Sequence, residues 1–220
     1  NTSQPESSCV DAVLLKKFLD KDPNAVLVFY GGEPLLEIEK IKEIMDTIDV
    51  PFRMQTNSKL LHKLPTGYIN RIGKILISLD GTKERTDFNR GAGTYDAVMD
   101  NIKLIKKNGH TGELVARMAV DFPDVCEQVK ALVTAGFTSI HWQLTKGFYR
   151  CDWDEQKMKK FFKDYNTNIG ELADWWVSEL TKGNFIRLYP FVGIVNSMLK
   201  GEKSALRCGA GNSGFSIATD

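Results

Sequence analysis

The 220-residue sequence has no excess of charge of either sign, 29 lysines and arginines standing against 28 aspartates and glutamates. With that balance and no basic block, nucleic acid is not an expected partner. No apolar run approaches the ~20 residues of a membrane span. The opening stretch, NTSQPESS, is polar rather than a secretory leader. A cytoplasmic chain with no membrane partner is the expectation. Cysteine is sparse: Cys9, Cys126, Cys151 and Cys208 show no CxxC or CxxxC spacing, which argues against a local zinc knuckle or a thioredoxin-type pair. Low-complexity tracts are absent as well. The length suits one α/β domain with an appendage better than two full domains.

What the sequence does have begins at residues 25–36, AVLVFYGGEPLL. Residues 25–30 are an unbroken apolar run and read as a strand buried on both faces, because the alternation of a half-wet strand is missing. Gly31 and Gly32 permit a sharp turn and leave main-chain groups approachable, and Pro34 is preset for a first helical turn. Glu33 is thereby expected at the carboxyl end of a central strand, the edge where parallel α/β sheets place ligands. A carboxylate there suits a cationic group such as an amine. Equally, the glycines could be a plain turn and Glu33 a first-turn residue favoured by the helix dipole; spacing weighs the two readings alike.

The rest repeats one unit. Helical apolar spacing covers 10–19, 36–48, 94–107 and 124–135, and strands are expected at 50–55, 74–79, 113–120 and 138–144. Residues 59–72 form a weak helical stretch broken by Pro65 and Gly67, and 82–93 (TKERTDFNRGAG) read as a polar loop long enough to be functional. Strand followed by helix, repeated, requires a parallel sheet, open or closed, with right-handed crossovers. From residue 146 the order changes to a long helical region at 154–182 with Trp175 and Trp176, a short strand at 185–188 and a helix near 191–199. A glycine-rich tail follows, in which 214–218 look like the start of a strand. The division expected is a barrel core over 1–145 and a helical extension over 146–220.

Glu33, Thr56, Asn57, Ser78, Asp80 and Gln143 all fall at expected carboxyl ends of strands, which together favours a ligand site over chance. Singly, each has a plainer reading: Asn57 and Asp80 as Asx turns, Ser78 as a satisfied hydroxyl. Gln143 and His141 share a strand face. Arg90 is either a carboxylate clamp or a solvated loop charge. Gly91-Ala92-Gly93 lacks the strand before it and the Lys-Ser or Lys-Thr after it that a phosphate loop needs. The tryptophans read as core packing, and Cys208, set among glycines, suits metal or cluster ligation with partners elsewhere.

Five segments together resemble the radical S-adenosylmethionine (radical SAM) superfamily, in the branch with a C-terminal SPASM or twitch extension. They are FYGGEPLL (29–36), QTNSKLL (55–61), ISLDGTKERTDFNRGAGTYDAVMDNI (77–102), HWQL (141–144) and RCGAGNSGFSIATD (207–220). The resemblance implies an α/β fold, a partial TIM-type (β/α)6 barrel with S-adenosylmethionine (AdoMet) lying across its strand tips. It implies that Gly31, Gly32 and Glu33 bind the methionine amino group, that Ser78 and Asp80 lie near the ribose and carboxylate, and that Arg90 is a carboxylate partner. Thr56 and Asn57 would line the pocket, with Gln143 also on the cofactor, and Cys208 would be the first ligand of an auxiliary cluster.

The family's CxxxCxxC loop, which holds the catalytic 4Fe-4S cluster, is missing from these residues. The first strand and that loop are therefore expected upstream, and the tail is expected to lead into an auxiliary 4Fe-4S region. The implied reaction is reductive cleavage of AdoMet to a 5'-deoxyadenosyl radical that takes hydrogen from a peptide or protein, with ferredoxin or flavodoxin as electron donor. Two alternatives stand: a degenerate, cluster-free barrel serving as a binding or scaffold module, and an ordinary (β/α) lyase or aldolase using Asp80 and a rim lysine.

Overall fold

A computed structural model describes residues 9–145, 154–201 and 214–217. Six parallel strands form one sheet in the order β1-β2-β3-β4-β5-β6, the order in which they occur along the chain. They are β1 (Leu27–Phe29), β2 (Phe52–Thr56), β3 (Ile72–Ser78), β4 (Glu113–Val120), β5 (Ser139–Leu144) and β6 (Arg187–Leu188). The helices are α1 (Ala12–Leu19), α2 (Ile38–Thr47), α3 (Thr66–Ile69), α4 (Lys83–Arg90), α5 (Thr94–Lys107), α6 (Val125–Thr134), α7 (Glu155–Thr181) and α8 (Tyr189–Lys200).

The sequential order decides the architecture. A doubly wound sheet reverses its strand order and places helices on both faces, whereas six parallel strands added in one direction by right-handed crossovers put the helices on one face. The fold is thus a partial TIM-type barrel, as expected. Its helix-side face carries Phe29, Phe52, Met54, Ile75, Ile77, Ala116, Met118, Ile140, Trp142 and Leu188, all in one buried cluster. The opposite, inner face follows from the register. Arg53 pairs with Lys74 and Lys74 with Glu113, while Ser78 pairs with Arg117 and Arg117 with His141. Because residues alternate across a strand, one face is oily throughout and the other is polar at its two ends, with the Leu76–Val115 pair between them.

Three expectations need correction. Residues 25–30 are not a strand buried on both faces: β1 is three residues long and lies at the edge of the described sheet, with Val28 47% and Tyr30 66% exposed. Glu33 follows a strand at the edge of the described sheet. Residues 82–93 are not a loop but mostly α4, started by the Thr82 hydroxyl, which accepts from the Arg85 N–H. Its sequence, KERTDFNR, buries only Thr86, so no apolar period reveals it. Last, Gly214 makes an isolated bridge, and no strand runs through 215–217.

The other helices behave as their spacing predicts. In α7 the indole of Trp176 is buried and donates to the Ile186 carbonyl at 2.7 Å, and Tyr165 accepts from the Trp142 indole at 3.0 Å, tying the long helix to β5. No described helix is long and apolar enough to cross a membrane.

Candidate functional site at the strand tips

The turn after β1 carries Glu33. Gly31 has φ +155° and is exposed like Gly32, and a Cβ on either would meet nothing within 4 Å. The backbone here is open to an approaching group. Glu33 caps a single 3-10 turn, Pro34–Leu36: its Oε1 accepts from the Leu35 N–H at 3.1 Å and from the Thr56 hydroxyl at 2.7 Å, and its Oε2 from the Asn57 N–H at 2.7 Å. The carboxylate thus joins the tips of β1 and β2. Oε2, with one donor, keeps an acceptor position that a cation can use.

The β2 tip is itself braced. Thr56 accepts from the Ser58 N–H at 2.9 Å, and Ser58 is fully buried in a left-handed conformation, φ +64°. Asn101 of α5 donates to the carbonyls of Ser58 and Lys59 at 2.8 and 3.1 Å, holding that turn. Asn101 escaped the sequence reading, since one polar residue on a helix gives no signal until its target turn is known.

Asp80 and Arg90 meet one another. Arg90 donates through Nε and Nη2 to the two Asp80 carboxylate oxygens, each at 2.8 Å, and Asn89 Nδ2 and the Ala119 N–H add bonds at 3.2 and 2.8 Å. The Asp80 side chain is fully buried and its acceptor positions are filled. The pair clamps β3, α4 and β4 together, and both residues support the rim instead of offering free groups to it. The neighbouring Gly81 is obligatory: at φ +129°, a Cβ would lie 2.1 Å from Gln128 Oε1, which accepts from the Thr82 N–H.

Ser78 ends β3 on the inner face, half-buried, with its hydroxyl unpartnered among the described residues. Beside it in register stands Arg117, then His141. Gln143, two residues along β5, accepts from Arg117 Nη2 at 2.8 Å. His141 Nδ1 is buried without a hydrogen-bond partner among the described residues. Burial lowers the His141 pKa, and the Arg117 charge lowers it further, so the ring is neutral at pH 7. Arg117 was overlooked in the sequence. Alternation could have found it, because Glu113 and Arg117, like His141 and Gln143, fall on one face of their strands.

The amino end of the same face is closed. Glu113 accepts from Lys74 (2.9 Å), Ser139 (2.7 Å), Tyr189 (2.9 and 3.0 Å) and Arg187. Burial pushes its carboxyl up, but the bonds from Lys74, Ser139, Arg187 and Tyr189 outweigh that and hold it down at about 2.

Glu33, Thr56 and Asn57 are in direct contact; Asp80 and Arg90 form a second group; Gln143 belongs with Arg117; Ser78 lies between. Cys208 falls outside the described residues. Of the cysteines described, Cys9 is exposed and Cys126 buried in α6. Among the described residues no three His, Cys, Asp or Glu side chains converge to hold a metal ion, so these residues provide no ligand set for an iron-sulfur cluster.

The same arrangement of elements occurs in the solved structure of native anSMEcpe with bound AdoMet, with a TM-score of 0.67 and 19% identity over 88% of this chain and 58% of that one. The chain shares the anSMEcpe fold. The structures of anSMEcpe with AdoMet and either the Cp18Cys or the Kp18Cys peptide match equally well. In sequence, the chain is 25% identical over 228 residues to a Cysteine-type anaerobic sulfatase-maturating enzyme of Clostridium perfringens, covering 89% of this chain and 57% of that protein. An uncharacterized protein of Archaeoglobus fulgidus is 39% identical over 75 residues, 33% of this chain and 18% of that one. The chain thus spans less than two thirds of each of these relatives. No protein-family model matches it.

Proposed function

We propose that this chain is the AdoMet-binding barrel of a radical SAM enzyme that modifies a peptide or protein. One observation carries the reading: an open glycine turn presents Glu33 with a free acceptor position, anchored to the next strand tip by Thr56 and Asn57. Support comes from the fold shared with AdoMet-bound anSMEcpe, which was also solved with peptides, and from the distant relative named as a maturating enzyme.

The residues present fit AdoMet. Glu33 Oε2 would accept from the methionine ammonium, and the bare edges of Gly31 and Gly32 would let the ligand close on the backbone. The unpartnered Ser78 hydroxyl would bond a ribose or carboxylate oxygen. In this reading Asp80 and Arg90 act at one remove, fixing the β3 tip that carries Ser78. When bound, AdoMet would supply the hydrogen-abstracting group: one electron from an external reductant would split its carbon-sulfur bond into methionine and a 5'-deoxyadenosyl radical. The chain's part is to orient AdoMet between Glu33 and Ser78 and to leave the inner face beside them for the peptide.

The test is 5'-deoxyadenosine formation by the protein containing this chain, after anaerobic loading with iron and sulfide and reduction. Production of 5'-deoxyadenosine from AdoMet is expected. A reduced, iron-loaded protein that binds AdoMet and never forms it overturns the enzymatic part and leaves a binding module.

A further inference from the structure

The inner face of the sheet is electrically lopsided. Along the paired strands it presents Arg53, Lys74, Arg117 and Arg187 against a single acid, Glu113. Lys74 and Arg187 both bond Glu113, so that cluster is internally compensated. Arg53 and Arg117 have no carboxylate partner among the described residues. The two differ in setting: Arg53 is exposed near the closed amino end, whereas Arg117 is half-buried, level with Ser78.

Arg117 is also oriented. Gln143 Oε1 accepts one of its N–H groups at 2.8 Å, leaving the remaining guanidinium donors for another acceptor. Next to it lies His141, whose buried Nδ1 wants a partner. A charged fork, an amide that aims it and a neutral imidazole stand together on this face and suit a single planar anion. A group of higher charge would call for more than one cation at this level of the face.

We infer that Arg117, aimed by Gln143 and flanked by His141, binds a carboxylate side chain of the peptide substrate, so that the enzyme selects a glutamate or aspartate near the residue it modifies. The inference rests on the peptide-modifying reading above. It also reassigns Gln143, whose amide oxygen is engaged by Arg117, from the cofactor to the substrate side of the rim. The cofactor has a carboxylate too, so the experiment must separate the two sources.

The probes are two fluorescein-labelled hexapeptides, Ala-Ala-Cys-Glu-Ala-Ala and the same peptide with Gln in place of Glu. Their binding to the protein containing this chain is read by anisotropy, and AdoMet binding is measured separately by equilibrium dialysis. Neither readout requires turnover, so an absence of 5'-deoxyadenosine would sink the enzymatic reading without touching this one. A charge-assisted bond to a half-buried guanidinium predicts about tenfold tighter binding of the Glu peptide. Arg117→Leu should abolish the preference, and Arg117→Lys, which keeps the charge without the fork, should keep about threefold of it. Gln143→Met, at an exposed position, should reduce it similarly while the fold remains intact. Equal affinity of the two peptides for the unaltered protein overturns the inference. So does a preference that survives in Arg117→Leu, or a loss of AdoMet affinity in that variant with the peptide preference intact.

Discussion

The two ends of the inner face are built from the same kinds of residue and behave oppositely. At the amino end Glu113 collects Lys74, Ser139, Arg187 and Tyr189, so acceptors and donors meet within the chain. At the carboxyl end Glu33 keeps an acceptor position, Ser78 has no side-chain partner among the described residues, and Arg117 has no counter-ion among them. A closed network stabilises; a network with open positions waits for a ligand. Asp80 and Arg90 are the instructive exception, a closed pair at the open end whose work is to hold the tip still.

The contrast can be broken most forcefully at Asp80. Asp80→Ala leaves the Arg90 guanidinium and the Ala119 N–H without their acceptor, and removing one partner of a buried pair costs about 3–5 kcal/mol; denaturant unfolding should show a loss of that size. Next is Glu113→Gln at the closed end, with a loss of about 1–2 kcal/mol after allowance for solvent screening and unchanged AdoMet affinity. The acid limb supplies its signature. Because the folded pKa lies below the unfolded one, this stability is present above the unfolded value of 4.5 and disappears as pH falls toward about 2. The variant should lack that slope in pH-dependent melting.

Glu33→Gln should shift the loss toward the ligand: AdoMet affinity about tenfold weaker, as expected for losing a charge-assisted bond, with stability lower by about 1 kcal/mol because the amide oxygen can still cap the turn but the amide nitrogen then faces the Asn57 N–H. Smaller again is a general effect of pH. Burial lowers the pKa of His110, which is packed at the amino end with Nε2 unpartnered among the described residues, and that of His141. Both favour the neutral ring, so stability is full above the unfolded pKa of 6.5 and declines as pH falls below it. Melting at pH 7.5 and 5.5 should differ in that direction, and His110→Phe should flatten the difference. The smallest change is Ser78→Ala, with AdoMet binding about threefold weaker and stability within about 0.5 kcal/mol. Equal losses of AdoMet affinity on altering Glu113 and Glu33 would erase the distinction between the two ends.

Much of this molecule was legible in its residues. Apolar runs gave away β3, β4 and β5, heptad-like spacing gave α2, α5 and α6, and the glycine turn marked Glu33. The weak points have physical causes. Helix α4 carries no apolar stripe, and only three residues of the apolar run at 25–30 form β1, since composition records what can be buried and not where the ladder of hydrogen bonds ends. Hydrophobic periodicity and turn chemistry act over a few residues, so the sequence by itself determined the parallel α/β class and which residues reach the strand tips. Only the tertiary structure decided which side chains satisfy one another there. Asp80 and Arg90 are ten residues apart, Glu33 and Asn57 twenty-four, and Arg117 and Gln143 twenty-six. Whether a carboxylate or a guanidinium is occupied or free depends on a partner that strand register, not local sequence, brings within 3 Å.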